Sequence, residues 1–505
     1  MPSLQHLPSE LYAAILDRVP PEDVQHTNAT LAIAAPRSPV PRIHTFNETR
    51  LRTADRVTLF CSYVRGAAPD ELARIRRFSL ETWTVDADVV VNALRRLTSV
   101  ERLCLFIGSS FAPEHTEELV ERPFERLRFL SIRFRPYVKK ATYYQFLKGA
   151  YFDSTVLKMA AWPALADLET LSIVQDPLDV AIAPTNFAQP IVFFRLDPLS
   201  TLAHSPLAAS ITSLRLRLPR REFVRFLVDA PGALPSLRLL DLSTSRVRDA
   251  DAVNLLANLP SLHALIIDDC DAVHGGDEQL AEEWAAFGRA LALAGHQRMR
   301  ARERVLKEYR ETLGVVMPRL PQREKKAKKG RKGLATATVS LREKPEPSAS
   351  TSTALPVVQE GDGGPLPEIL ERVRVVPPAP TLRALAVTPS AHIPASSHVA
   401  IVDEFRRGWA EGMTTLAAIR ARLRVSAKQG NLKTKIRVMR FARPGEEGLE
   451  APLDGLLDAS EWDVEESANA VTGVPVLCLA GPRRDGAHAE GCPHPIGWET
   501  FGDDL

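Results

Sequence analysis

Two neighbouring stretches of this chain are built alike. Leu234-Pro-Ser-Leu237-Arg-Leu-Leu240-Asp-Leu242 and Leu259-Pro-Ser-Leu262-His-Ala-Leu265-Ile-Ile267 begin 25 residues apart, each with apolar residues at a first, fourth and sixth position. The fourth-to-sixth step suits a strand, because alternate side chains of a strand share a face. Between the copies, Val253, Leu256 and Leu259 fall on one face of a helix over 250–259. A strand–turn–helix unit of this size cannot bury its own apolar face, whereas stacked copies can.

The same spacing recurs at Ile75-Phe78-Leu80, Val100-Leu103-Leu105, Leu127-Leu130-Ile132, Leu168-Leu171-Ile173 and Ile211-Leu214-Leu216, with starts 25, 27, 41, 43, 26 and 25 residues apart through Leu262. Helical fillers read at 86–97 and 222–229. The pattern resembles a leucine-rich repeat, whose period is about 20–29 residues. Cys270 falls where that family takes Asn or Cys, and Ser245 stands at the same place one copy earlier. The resemblance implies an α/β solenoid of parallel strands alternating with helices. Its two long spacings would then be insertions on a binding face. The first insertion holds Tyr137, Tyr143, Tyr144, Phe146 and Tyr151. These are candidate target-binding residues, since Tyr offers large contact area at low entropic cost; folding back onto the adjacent helix is the other reading. Phe193 and Phe194, in the second insertion, are expected in the core.

The N-terminal stretch Leu7-Pro-Ser-Glu10-Leu11 through Ile15-Leu16, Val19 and Asp23-Val24 reads as a short helical hairpin, stopped and restarted at Pro20-Pro21. It is too small to hold a core alone. It resembles an F-box, and Leu7, Pro8, Leu11, Ile15, Leu16, Val19, Asp23 and Val24 match position by position. The resemblance implies docking on a Skp1-like adaptor in a cullin complex, with Leu7, Leu11, Ile15 and Leu16 exposed for it. Pro36, Pro39 and Pro41 cannot continue a helix, so the family's third helix should be short or absent. A cap over the end of the repeat stack is the alternative.

Residues 278–313 read as one long helix, with Trp284, Phe287, Leu291 and Leu293 in its buried part. From 297 to 332 the local charge is +10, although the whole chain carries only +2. Lys325, Lys326, Lys328, Lys329, Arg331 and Lys332 form a candidate nuclear localisation signal. The run could also be a solvated linker flank, a nucleic-acid tether, or a partner for residues 446–505, whose charge is −12. No aromatics are interleaved with the bases of its densest part, 323–332, so nucleic-acid binding is not expected. A Pro/Ser/Thr/Gly-rich stretch to Pro365 reads as disordered linker. Beyond it, 366–373 and 402–423 read as helices and 436–438 as a strand. Leu382-Leu385-Val387 and Val474-Leu477-Leu479 repeat the strand spacing. The expected layout is an F-box-like motif over 1–45, a solenoid over 46–296, a basic linker over 297–365 and degenerate repeats over 366–505. Strand 382–388, or the one at 436–438, should extend the same parallel sheet.

The chain carries no G-x-x-x-x-G-K-S/T, G-x-S-x-G, H-E-x-x-H or G-x-G-x-x-G motif. No catalytic residue, metal or cofactor is expected. Cys492-Pro-His494 with His488 lacks a second ligand pair at zinc spacing and reads as a mobile tail. The five cysteines are scattered without a C-x-x-C, as in a reduced nuclear or cytoplasmic protein. No signal peptide and no membrane-spanning apolar run is read. The resemblances together imply a substrate-recognition adaptor of an SCF-type ubiquitin ligase, monomeric outside its complex. Its repeats would hold a target protein, and other subunits would transfer ubiquitin. A nuclear scaffold without ubiquitination is the alternative.

Overall fold

The computed structural model describes residues 7–41, 48–135, 151–165, 167–177, 192–270, 280–312, 373–389, 393–433, 436–443, 446, 448–449, 451–459 and 473–502. The protein is α/β. Ten parallel strands form one sheet and alternate with helices. The N-terminal hairpin is α1 (Ser9–Leu16) and α2 (Pro21–Ala34). The sheet then begins with β1 (Glu48–Leu51), followed by α3 (Ala54–Gly66), α4 (Pro69–Leu72), β2 (Arg77–Leu80), α5 (Ala87–Leu94), β3 (Arg102–Ile107), α6 (Pro113–Leu119) and β4 (Phe129–Phe134). Next come α7 (Asp153–Ala160), β5 (Thr170–Gln175), α8 (Asp197–Ala203), β6 (Ser213–Arg217), α9 (Val224–Leu227), β7 (Leu239–Asp241), α10 (Asp249–Asn258) and β8 (Ala264–Ile267). Two helices, α11 (Leu280–Ala292) and α12 (Ala294–Thr312), precede 313–372. After that segment come β9 (Val373–Val375), β10 (Ala384–Val387), α13 (His398–Lys433), β11 (Arg437–Phe441), β12 (Leu456–Asp458), β13 (Val476–Cys478) and α14 (Pro493–Phe501).

Strands β1 to β8 lie side by side in chain order, and β10 and β13 complete the sheet. The register is regular: Leu103, Leu130, Leu171, Leu214, Leu240, Leu265 and Leu385 stand in one row. Every first, fourth and sixth residue of the strand spacing from Ile75 to Val387 is buried, which explains the repeat period. Each trio faces the layer formed by α3 and α5 to α13, where successive helices pack on one another. Capping fixes several helix starts. Thr53 Oγ1 accepts from the Arg56 N–H, and an Asp86 carboxylate oxygen accepts from the Val89 N–H.

The expectation that 382–388 joins the sheet holds, because β10 pairs in parallel with β8 through Ala384↔Ala264 to Val387↔Ile267. Strand β11, near the expected 436–438, goes elsewhere. It pairs with β9 and β12 in a separate three-stranded sheet that packs on α12. Val373, read as the end of a helix, opens β9; 366–372 lie outside the described residues. The single helix expected over 278–313 is two, broken at Leu293. Gly295 follows the break, and a Cβ there would overlap the Pro378 carbonyl.

Helices α11 and α13 join the parts on either side of 313–372. Gly288, Gly408 and Gly412 let the two backbones meet, and a Cβ at Gly408 would collide with the Ala285 carbonyl oxygen. Trp284, Phe287, Phe405 and Trp409 fill the seam, and Arg289 pairs with Glu411 at 2.5 Å. The first part of the basic run is structural too. Arg302 bonds Asp454, the Arg298 guanidinium lies 4.0 Å over Phe441, and burial pulls Arg298 down to about 10. No described helix is long and apolar enough to cross a membrane.

Candidate functional site on the helix-free face

The face of the sheet opposite the helix layer changes character along its length. Its rows can be followed by register. One runs Ser79, Cys104, Ser131, Ser172, Arg215, Asp241, Ile266, Ala386, Cys478, and the next contains Phe106, Arg133, Val174 and Arg217.

At the β1–β4 end no described helix lies on this face, which is built from cations and aromatic rings. Trp83 and Phe106 stack at 4.6 Å, with Arg135 over Trp83 at 4.8 Å and Arg133 over Phe106 at 5.5 Å. Both arginines also pair with buried Asp176, at 2.5 and 3.3 Å, while their own side chains stay about half exposed. Beside them Glu81 gathers Arg50, Arg52 and Ser79. Burial would raise the Glu81 carboxyl, but these partners outweigh it and hold it below its usual range.

At the β6–β13 end the same face is covered. The C-terminal segment, expected to be a mobile tail, folds back, and α14 lies on β8 and β10. Phe501 packs with Leu239, Ala264, Ile266, Ala386, Cys478 and Cys492. Gly497 sits so close to Ile266 Cδ1 that a Cβ would reach it at 2.9 Å. Arg215 stacks on Phe501 at 4.1 Å. Asp241, fully buried, accepts from Arg215 at 2.8 Å and Arg217 at 2.7 Å, and its carboxyl lies far below the usual range despite burial. Asp268 accepts from Thr388 Oγ1 and from His494 Nε2, both at 2.8 Å. Asp268 is thus engaged by one side chain of β10's end and one of α14. A cleft of about 250 Å³ remains between α14 and the sheet, lined by Arg215, Arg217, Asp241, Ile266, Asp268, Pro482, Arg484, His494, Gly497 and Trp498. Sequence reasoning named none of these as site residues, and it placed His494 in a mobile tail. The usable signal was that Ala264-Leu-Ile-Ile267 and Ala384-Leu-Ala-Val387 are apolar on both faces, which requires a cover on each.

The sequence-predicted residues fall in three groups. In the hairpin, Leu11 and Ile15 are exposed at 48% and 41%, as expected for a docking face. Leu16 is a correction: it is fully buried with Tyr12, because it lies on the opposite side of α1. Leu7, Val19 and Val24 are half-buried, and Pro8 and Asp23 are exposed. No helix forms over 35–41, in keeping with the three prolines. In the first insertion, Tyr151 is half-buried against Phe194 at 5.1 Å, while Tyr137, Tyr143, Tyr144 and Phe146 lie outside the described residues. Phe193 is buried as expected, but Phe194 is 61% exposed and not core. The third group, Lys325, Lys326, Lys328, Lys329, Arg331 and Lys332, also lies outside the described residues. The view that the Cys492/His494/His488 stretch lacks a further ligand is corrected as well, since β13 brings Cys478 to it. Comparison with known proteins adds no relative: no family model matches the chain, and no curated protein does either.

Proposed function

We propose that this chain is a substrate-recognition adaptor of an SCF-type ubiquitin ligase, in which α1 and α2 dock on Skp1 and a leucine-rich-repeat array holds the target. The observation that carries this reading is the two-sided α1. Tyr12 and Leu16 anchor it inward, while Leu11 and Ile15, one turn apart, present apolar surface outward. Ile33 on α2 is 81% exposed as well. The hairpin is held to the start of the sheet, where Glu48 N–H donates to Gln25 Oε1 and Asn28 Nδ2 donates to the Pro41 carbonyl.

The repeat reading is supported by the polar position that follows β7 and β8. Ser245 Oγ accepts from the Leu218 N–H and donates to the Leu216 carbonyl, while Cys270 Sγ donates to the Leu242 carbonyl at 3.4 Å. Each side chain ties its turn to the preceding copy, the task that an Asn or Cys performs at that place in the family. The target would lie on the open β1–β4 end, on Trp83, Phe106, Arg133 and Arg135. Residues 323–332 would direct the protein to the nucleus, and neutralising their lysines should move a fluorescent fusion to the cytoplasm.

Co-purification of the full chain with Skp1 and a cullin tests the reading. The Leu11→Asp/Ile15→Asp variant should lose both partners and keep the circular dichroism of the parent. If the variant retains Skp1, or if it unfolds the sheet, the hairpin is a cap and the adaptor reading falls.

A further inference from the structure

Four side chains converge where α14 meets the end of the sheet. Cys478 ends β13, the last strand. His488 lies in the following turn, Cys492 is the N-cap of α14 and His494 sits in its first turn. One ligand-type atom from each lies within 4.8 Å of all the others. Cys478 Sγ is 3.6 Å from His488 Nδ1, and Cys492 Sγ is 3.8 Å from both His488 Nδ1 and His494 Nδ1. These three separations are close to those between neighbouring ligands of one tetrahedral ion. Metal–sulfur bonds of about 2.3 Å and metal–nitrogen bonds of about 2.0–2.1 Å at tetrahedral angles place S and N about 3.6 Å apart.

The outer contacts fit the same reading. Each imidazole turns Nδ1 inward and uses Nε2 outward: His494 Nε2 meets the Asp268 carboxylate at 2.8 Å, and His488 Nε2 meets the Arg483 carbonyl at 2.6 Å. A proton held on Nε2 by an acceptor leaves the Nδ1 lone pair free for a metal, and a carboxylate behind a histidine is a recurrent support of metal sites. Trp498 fixes both rings, stacked with His494 at 5.8 Å and edge-on to His488 at 5.1 Å. Left-handed glycines at Gly481 and Gly491 turn the chain so that the ligands on either side meet.

We propose that Cys478, His488, Cys492 and His494 form a closed, structural site for one zinc ion that clasps α14 onto the helix-free face. Two sulfurs and two imidazoles in tetrahedral array suit zinc. Binding releases two protons and leaves two thiolates and two neutral imidazoles, so the site is neutral overall. A nucleophilic Cys–His–Asp arrangement is a poorer fit. Neither sulfur lines the cleft, Cys478 and Cys492 are 1% and 3% exposed, and such a triad has no use for the second cysteine and second histidine.

The test uses the full chain, purified without chelator and analysed by elemental mass spectrometry. About one zinc per chain is expected. Cobalt replacing it should give the thiolate charge-transfer and tetrahedral ligand-field bands. Cys478→Ser/Cys492→Ser should lose the metal, whereas Cys61→Ser/Cys104→Ser should keep it. Asp268→Asn should still load at saturating zinc but bind it about 10–100-fold more weakly. If the ligand variant does not fold, the parent chain alone decides: zinc stripped by chelator should lower its melting temperature, and added zinc should restore it. A parent chain that holds no zinc and gives no cobalt–thiolate band overturns the site. So does a ligand variant that retains stoichiometric zinc, or copper found in zinc's place.

Discussion

The two ends of the sheet share one backbone and differ on one face. From β1 to β4 the helix-free face carries Glu81, Trp83, Phe106, Arg133 and Arg135, whose ion pairs stay in contact with water. From β7 to β13 the same face carries Leu239, Ala264, Ile266, Ala386 and Cys478, buried under α14. The helix-layer face does not change: leucine follows leucine across both ends. The backbone repeat therefore sets the architecture, while residues on the other face decide whether a stretch of sheet remains a surface or becomes a second core. The proposed target contact uses the open end, and the proposed clasp uses the covered end.

The sharpest way to break this contrast is to remove matching carboxylates. Asp241 is fully buried between Arg215, which is itself 4% exposed, and Arg217. Asp241→Ala takes the buried carboxylate away from a buried guanidinium and should cost about 3–5 kcal/mol. Asp176 is also buried, but Arg133 and Arg135 can turn to solvent, so Asp176→Ala should cost about 1–2 kcal/mol. Denaturant melts of the two variants read the difference, and equal losses would erase the distinction between the ends. Asp241 also adds a pH dependence. Its folded carboxyl lies below the unfolded value of about 3.9, so the unfolded chain binds the extra proton and the stabilisation exists above that value. It fades as pH falls from about 4 toward the folded value. The melting-temperature gap between the parent and Asp241→Asn should therefore narrow from pH 5 to pH 3.

A matched pair of aromatic truncations has the next largest effect. Phe501 is 3% exposed under Arg215, and Phe501→Ala should cost about 3 kcal/mol. It should also raise amide exchange along 493–501. Trp83, half-buried beneath Arg135, makes a comparable ring–guanidinium contact at the open end. Trp83→Ala should stay within about 1 kcal/mol, because an exposed contact of this kind is worth about 0.5–1 kcal/mol. If Trp83→Ala proves as damaging as Phe501→Ala, the open end is as much a core as the covered one.

The repeated strand spacing was legible because it places Leu or Ile at fixed intervals. Even β10, 120 residues beyond Leu262 in its spacing, declared itself by Leu382, Leu385 and Val387. Strand β1 did not, because Thr49 stands where the other strands have Leu or Phe, although it is just as buried. The departure of β9, β11 and β12 into a second sheet was hidden, because Arg437-Val-Met-Arg-Phe441 reads only as a short strand and names no partner. In the hairpin the spacing identified α1, but four apolar positions could not say which pair faces inward. Tyr12, absent from the matched pattern, takes the inner place with Leu16. The four-ligand cluster was missed for a topological reason. Cys478 belongs to a strand and the other three to the segment after it, so the spacing matched no short motif until β13 and α14 were seen packed together.

The smallest expected effect tests whether the contrast depends on the connection between α12 and β9. That connection spans 60 residues, 313–372, and the parts it joins already hold each other. Helices α11 and α13 interlock at Gly288, Gly408 and Gly412, β8 pairs with β10, and Glu303 accepts from the Val375 N–H at 3.2 Å. Closing a chain segment costs only about 0.6 kcal/mol per doubling of its length. Removing residues 320–359 leaves about a third of the connection, so the fold should become more stable by about 1 kcal/mol at most. Trypsin should cut the parent chain within the lysine-rich 323–332, and the two fragments should elute together under native conditions. Fragments that part, or a deletion that loses several kcal/mol, would mean that the covered end depends on 313–372 for its contacts. The difference between the two ends would then lie in that segment and not in the residues on the face of the sheet.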